Sequence, residues 1–269
     1  MPAATGSSTL AFGHVARHAA AHAKAMLARL SGKRRWDDDD IHQIRVLCKK
    51  LRAFVHLGRG IVPEKQRKHW NQKLREAACL LAGAREATIL GGWMEAAAAN
   101  AEPGISRGIH LLRGKLDGKF PRRLPAGAKD QVLATLHNIA HEWPADWGRI
   151  NRSPAPALQR MRRRVRAAGK RALHGGDADD WHVWRRRVKY EAYQLEWIAV
   201  ARGLKPSARY RQLRQLGSAL GKCNDMHNLG DWLGGQTSRS RAMAFLIVWT
   251  GAAAKAWARK AKAAAKKVG

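Results

Sequence analysis

Acidic residues are scarce in this chain. Its 269 residues include 20 Asp and Glu against 51 Lys and Arg, a formal net charge of +31. Self-repulsion on that scale opposes compaction unless a polyanion or counterions relieve it, so nucleic acid, an anionic membrane and polymeric phosphate are the partner classes to weigh. The shortage of carboxylates argues against a phosphohydrolase or phosphotransferase, which normally needs them to hold a metal ion against the phosphates. Cysteine is scarce as well. Cys48, Cys79 and Cys223 are odd in number and form no CxxC, so reduced, structural thiols in a cytoplasmic chain are expected. Long apolar runs are missing: the best, residues 242–257, is broken by Lys255, and no stretch reaches the ~18 apolar residues of a membrane span. The N-terminal stretch is interrupted by His14, Arg17, His18, His22 and Lys24, so no secretory signal is expected. GxSxG, Walker A and dinucleotide glycine motifs are absent, and the glycine pairs at 91, 175 and 234 read as helix punctuation. Among twelve histidines there is no HxxxH accompanied by Glu and no Cys/His quartet; the His14, His18 and His22 spacing could hold a metal on one helix face but arises easily in a His-rich helix. No catalytic residue, metal or cofactor is expected.

Strand signals are also nearly absent. What is present is Ala, Leu, Arg, Lys and Gln at helical spacing, with 45% hydrophobic residues to fill a core. Helices are predicted at 8–30, 40–59, 64–98, 104–118, 126–144, 155–174, 179–202, 206–233 and 236–266, separated by SGK, VPE, EPG, FPRRLP, RSPAP, HGG, LKP and GGQ breaks. The fold class is all-α.

One word is written twice. DDDDIHQIRVLCKKLR begins at residue 37 and DDWHVWRRRVKY at 179. His182 less His42 is an offset of 140. An offset of 139 pairs Leu74–Arg75 with Leu213–Arg214, Arg85–Glu86 with Asn224–Asp225, and Leu90 with Leu229. An offset of 146 pairs Arg17 with Arg163 and Lys24 with Lys170. Several matches in one order indicate an internal repeat, with half-repeats at about 8–145 and 152–260. Two pseudo-symmetric antiparallel four-helix bundles follow, forming one compact domain over 8–260. The Ala/Lys-rich residues 261–269 read as a basic tail, either a solvated helix end or an additional anion-binding arm.

A helix turns about 100° per residue, so with His42 at zero Arg45 lies near −60°, Lys49 near −20°, Arg52 near −80°, His56 near −40° and Arg59 near −100°. Ile44, Leu47, Leu51, Phe54 and Val55 fall on the opposite face, so the core would hold the helix from behind and present a row of cations in front. His182, Arg185 and Lys189 make the matching stripe, flanked by Arg186 and backed by Trp184, Val188, Leu195 and Ile198. Asp39 or Asp40, and Asp179 or Asp180, are placed to cap the two helices. If the halves face each other, the rows converge. Arginine forks and lysine point charges then suit a linear polymer of phosphates.

The ordered set resembles the CHAD family, the conserved-histidine α-helical domains, whose halves each carry a signature like H-x-x-R-x-x-x-K/R-x-x-R after an acidic lead-in. Here that is His42, Arg45, Lys49 and Arg52, then His182, Arg185 and Lys189. The family's long helix ends in a motif like LG-x-x-N/R-D, matched closely by LGKCNDMHNL at 220–229 and loosely by AGAREATIL at 82–90. The resemblance implies two four-helix bundles around a basic central cavity that binds inorganic polyphosphate without catalysis. With the repeat matches and the flanking Arg186 added to the signature residues, the expected polyphosphate site is Arg17, Lys24, His42, Arg45, Lys49, Arg52, Arg75, Arg163, Lys170, His182, Arg185, Arg186, Lys189 and Arg214. Some relatives are fused to a triphosphate-processing tunnel domain; a stand-alone, monomeric, cytoplasmic domain associated with polyphosphate granules is expected here. Two positions depart from the pattern: Ala192 stands where Arg is usual and Glu86 where Asp is usual. Glu196 shares the cationic face, as a Glu often does in the family, paired there with a neighbouring Arg. The alternative function is nucleic-acid binding by stacking and backbone contacts, although Trp184 and Trp249 sit at apolar helical positions.

Overall fold

A computed structural model describes residues 10–119, 124–237 and 240–268. The predicted start at residue 8, residues 120–123 of the FPRRLP break, residues 238–239 and Gly269 lie outside them. The described residues form ten helices: α1 (Phe12–Ser31), α2 (Asp38–Leu57), α3 (Glu64–Leu80), α4 (Ala82–Ala98), α5 (Pro103–Lys119), α6 (Ala128–Asp146), α7 (Ala155–Leu173), α8 (Ala178–Ala201), α9 (Ala208–Gly234) and α10 (Arg241–Ala265). Among them the only β pairing is an isolated bridge between Arg59 and Val62. The all-α fold class holds.

One predicted helix is divided. The predicted helix over 64–98 is two helices, broken at Leu81, which has φ −97° and ψ 5° and is fully buried. The break leaves the last carbonyls of α3 without helical partners. One of them, Ala78 O, accepts a hydrogen bond from Arg45 Nη1 at 2.7 Å. In the second half the corresponding helix, α9, runs through without interruption.

α1, α2, α3 and α6 pack as one bundle, and α7, α8, α9 and α10 as another. The α4–α5 hairpin leaves the first bundle and packs on α9 and α10. Three large apolar clusters result, besides a small one of Ala53, Met161, Tyr190 and Tyr193. The first centres on Phe12, Phe54, Trp143 and Trp147, with Phe12 and Phe54 stacked at 4.9 Å and the two tryptophans at 4.8 Å. The second joins α4 and α5 to the end of α9 and the start of α10. The third joins α7 and α8 to the other ends of α9 and α10. Truncating any of the buried aromatics costs about 3–5 kcal/mol, because the space left does not collapse.

α1 begins without a side-chain cap. Its first N–H groups are satisfied by the segment joining the halves: Phe12 N donates to Arg152 O at 2.8 Å and Gly13 N to Ile150 O at 2.9 Å. A Cβ at residue 13 would lie 2.3 Å from Gly148 O, so only glycine fits this approach. The stretch read as a tail also packs: Ala261 and Val268 are buried, and Arg209 Nη1 donates to Val268 O at 2.8 Å. No described helix is long and apolar enough to cross a membrane.

Candidate polyanion-binding trough

The two copies of the repeated word start alike. The caps are Asp37 and Asp177 rather than the Asp39/Asp40 and Asp179/Asp180 expected, because α2 and α8 begin earlier than their apolar periodicity does. Asp37 accepts from Asp40 N at 2.8 Å, and Asp177 accepts from Asp180 N at 2.9 Å. In α2 the cap is a reciprocal box closed by Asp40. Asp40 is itself buried, with Arg29 Nη2 at 2.7 Å and Lys33 Nζ at 2.7 Å. Burial alone would raise its pKa, but the hydrogen bonds from Lys33 and Arg29 hold it below the ordinary value.

α2 and α8 are then clamped across each other. Trp197 Nε1 donates to Lys50 O at 2.9 Å, Gln194 Nε2 to Ala53 O at 3.0 Å, and Lys50 Nζ meets Glu196 Oε1 at 2.6 Å. His56 lies over Tyr190 with ring centroids 4.9 Å apart. These pairs obey the repeat. Adding the offset of 140 to Lys50 gives Tyr190, and subtracting it from Glu196 gives His56, so the pair Lys50–Glu196 exchanges with His56–Tyr190. Contacts that swap in this way are the mark of a two-fold relation between the halves. The partner of Glu196 is thus Lys50 of the other half, not a neighbouring arginine, because the crossing brings α2 closer to that face than any arginine of α8.

Between the N-terminal arms of α2 and α8 lies a cavity of ≈ 410 Å³. α2 supplies His42, Arg45 and Lys49; α8 supplies His182, Arg185 and Lys189. The other two walls are also repeat mates. Ala82, Glu86 and Ile89 of α4 correspond, at the offset of 139, to Gly221, Asp225 and Asn228 of α9, and all six line the cavity. A second cavity of ≈ 480 Å³ adjoins it. It shares His42, Val46, Lys189, Gly217 and Ser218, and adds Lys50, Tyr193, Glu196, Tyr210 and Arg214. Together they form one trough. Ala192, which replaces an expected cation, is buried in its wall.

Gly217 and Gly221 sit one turn apart on α9, under the α8 row. A Cβ at 221 would lie 3.6 Å from Arg185 Nε and one at 217 would lie 3.5 Å from a methyl of Val188, which are ordinary contact distances. Glycine there relieves no strain; it leaves room above the helix backbone for Arg185 and Lys189 to lie across it. His182 is oriented by its hydrogen bond to Asn224: Nδ1 donates to Oδ1 at 2.8 Å, leaving Nε2 as the second ring nitrogen for an anion.

The electrostatics are strained by design of the charge pattern. Burial, together with the nearby Arg185 and Lys49, pushes the Lys189 ammonium down to about 7, against the opposing pull of Asp225. Asp225 in turn is raised by burial, although Arg185 and Lys189 act the other way. Both groups are therefore pressed toward neutrality in the trough. An anion chain would reverse that pressure on Lys189.

Half of the expected site residues do not line the trough. Arg17 is exposed on α1 and donates to Gly148 O, and Lys24 is exposed farther along the same helix. Arg163 and Lys170 are exposed on α7, Arg75 on α3 and Arg186 on α8. Arg52 turns to α3, where Nε donates to Asn71 Oδ1 at 3.1 Å. The stripe on α2 is real, but Asn71 takes Arg52 and Tyr190 covers His56, so only its first half faces the trough. Lys50 and Lys222, by contrast, line it without having been predicted. Lys50 lies near +80° from His42, outside the stripe, and is recruited because α8 packs on that side. Among the described residues no three His, Cys, Asp or Glu side chains are grouped to hold a metal ion.

No match was found among curated proteins or among solved structures. The family model described as CHAD domain matches residues 17–234, which contain both cationic rows and all four walls of the trough. By that match the chain belongs to the CHAD domain family.

Proposed function

We propose that the trough binds inorganic polyphosphate and does not turn it over. The observation that carries this reading is the four-walled repeat symmetry of the cavity, in which both cationic rows face one space. A linear chain of identical phosphates presents the same chemistry to both rows. Arg45 and Arg185 offer forked donors to phosphate oxygens, and Lys49 and Lys189 offer point charges. Family membership supports the same ligand class. The trough's own acids, Glu86, Asp225 and Glu196, do not form a metal-holding group, so binding without hydrolysis is the chemistry these residues favour.

Titration calorimetry with long-chain polyphosphate tests the reading. Binding should weaken steeply as salt rises, since each neutralised phosphate releases counterions. Polyphosphate should displace single-stranded DNA at a far lower phosphate concentration than the reverse. DNA winning that competition would replace this reading with nucleic-acid binding, and orthophosphate release in the presence of magnesium would show an enzyme. Recruitment to polyphosphate-rich granules is part of the proposal, checked by imaging the tagged protein in polyphosphate-replete and polyphosphate-depleted cells.

A further inference from the structure

The row on α2 does not stop at the trough. Past His56 the helix ends, and Arg59 enters a different neighbourhood, formed by the 58–63 turn, the start of α3 and the start of α7. Two adjoining clefts open there, of ≈ 360 and ≈ 480 Å³. They share Arg59, Gly60 and Arg160; Arg152 lines one and Arg67 the other. None of these residues lines the trough.

The cluster is built rather than incidental. Arg160 Nη2 donates to Arg59 O at 2.6 Å, which fixes its guanidinium at the mouth of both clefts. Gly60 turns the chain with φ +81°, and a Cβ there would lie 3.3 Å from Arg160 Nη2. Glycine meets both demands, a left-handed backbone and a close approach by the guanidinium. The one carboxylate in the lining, Glu64, is engaged by Lys68 at 3.2 Å and lies 4.0 Å from Arg67. α7 begins in the cleft with Ser153, Pro156 and Ala157 in the lining, so the positive end of its dipole adds to the field. Like charge has accumulated enough to be felt next door. His56 is held down at about 4 by burial and by Arg67, Arg52, Arg164 and Arg59. Arg164 is lowered by burial and by Arg59, Arg160 and Arg67.

We propose that Arg59, Arg67, Arg152 and Arg160 form a second anion site that takes a compact phosphate such as pyrophosphate. Every cation in the lining is an arginine. Planar forks converging on a small space suit the several oxygens of one short phosphate better than the extended body of a polymer. The site is independent of the trough and stands whether or not the trough binds polyphosphate.

The test is a calorimetric titration of inorganic pyrophosphate into the full chain and three variants. Arg59→Glu/Arg152→Glu alters two exposed side chains whose structural hydrogen bonds are made by their backbone carbonyls, so the fold is retained. Lys49→Ala/Lys189→Ala empties the trough of two cations. Lys255→Glu/Arg259→Glu makes the same change in net charge on exposed positions of α10. The Arg59/Arg152 variant should lose about tenfold or more in affinity, with the other two within about twofold of the parent. No binding by the parent, loss confined to the trough variant, or equal loss in all three would overturn the site. A second arm uses long-chain polyphosphate, which should bind the Arg59/Arg152 variant nearly as well as the parent. If that variant instead loses the long chain while keeping pyrophosphate, the cluster is part of a polymer path and the compact site is wrong.

Discussion

The same repeat position carries opposite chemistry in the two halves. Leu51 is fully buried in the first; its mate at the offset of 140 is Glu191, equally buried in the second. Trp70, buried in the first core, corresponds at the offset of 139 to Arg209, whose Nε donates to Glu191 Oε1 at 2.5 Å. Two apolar core positions of one bundle are thus an ion pair in the other. The cationic rows differ too. Arg45 is committed to the end of the broken α3 through Ala78 O, whereas Arg185 lies beside Gly221 on an unbroken α9, its Nε buried without a hydrogen-bond partner among the described residues. Symmetry of position has been kept while each half solves its packing separately. In the first row Arg45 is anchored to backbone; in the second, burial and like charge press on Lys189 beside Arg185.

The largest expected effect breaks the buried ion pair. Arg209→Ala leaves Glu191 in the core with, among the described residues, only Arg162 as an ion-pair partner at 3.5 Å, and should cost about 3 kcal/mol in denaturant unfolding. Glu191→Leu/Arg209→Met, which rewrites the second half in the apolar style of the first, should recover most of that loss. If the double variant is as unstable as the single, the comparison is wrong.

Asp40→Ala should cost about 1–2 kcal/mol, since it removes the capping box and leaves Arg29 and Lys33 half-exposed and able to find water. Because the folded pKa of Asp40 lies below its ordinary value, this contribution is present above the ordinary carboxylate range and is lost as pH falls through the lowered value. The stability difference between parent and variant should therefore shrink in acid.

Lys189 and Lys49 can be separated by protons. With its folded pKa near 7 against an unfolded value near 10.5, Lys189 binds fewer protons folded than unfolded between those limits. The free protein should therefore gain stability as pH rises from about 7 toward 10.5. A bound polyanion favours the charged form, so binding at pH 8 should take up a proton, seen as a dependence of calorimetric enthalpy on buffer ionisation. Lys189→Met should abolish that uptake and Lys49→Met should retain it.

Smaller effects remain on the walls. Glu196→Gln removes a negative charge from the trough and frees Lys50, and should tighten polyphosphate severalfold at low salt. Gly221→Ala places a methyl 3.6 Å from Arg185 Nε and should change affinity by less than about twofold.

What the sequence disclosed follows the reach of its signals. The two faces of α2 were legible because helical period alone separates Ile44, Leu47, Leu51 and Phe54 from His42, Arg45 and Lys49. The repeat was legible in α1–α2, α7–α8 and the α4–α9 correspondence. The cap was misplaced because four successive aspartates offer four candidates and only the backbone selects Asp37. The break at Leu81 has no sequence signal beyond Gly83, and it determines what Arg45 bonds. Periodicity places a cation on a face but does not say which helix arrives there; Asn71, Tyr190 and α8 decided the fates of Arg52, His56 and Lys50.

The central claim is that both rows act on one ligand. The affinity for long-chain polyphosphate, measured at pH 6 where Lys189 is charged, of the parent, Lys49→Ala, Lys189→Ala and the double variant tests it most directly. Each single change should cost about tenfold and the double about a hundredfold, with the salt dependence growing shallower at each step. A double variant within about twofold of the parent would contradict the shared trough.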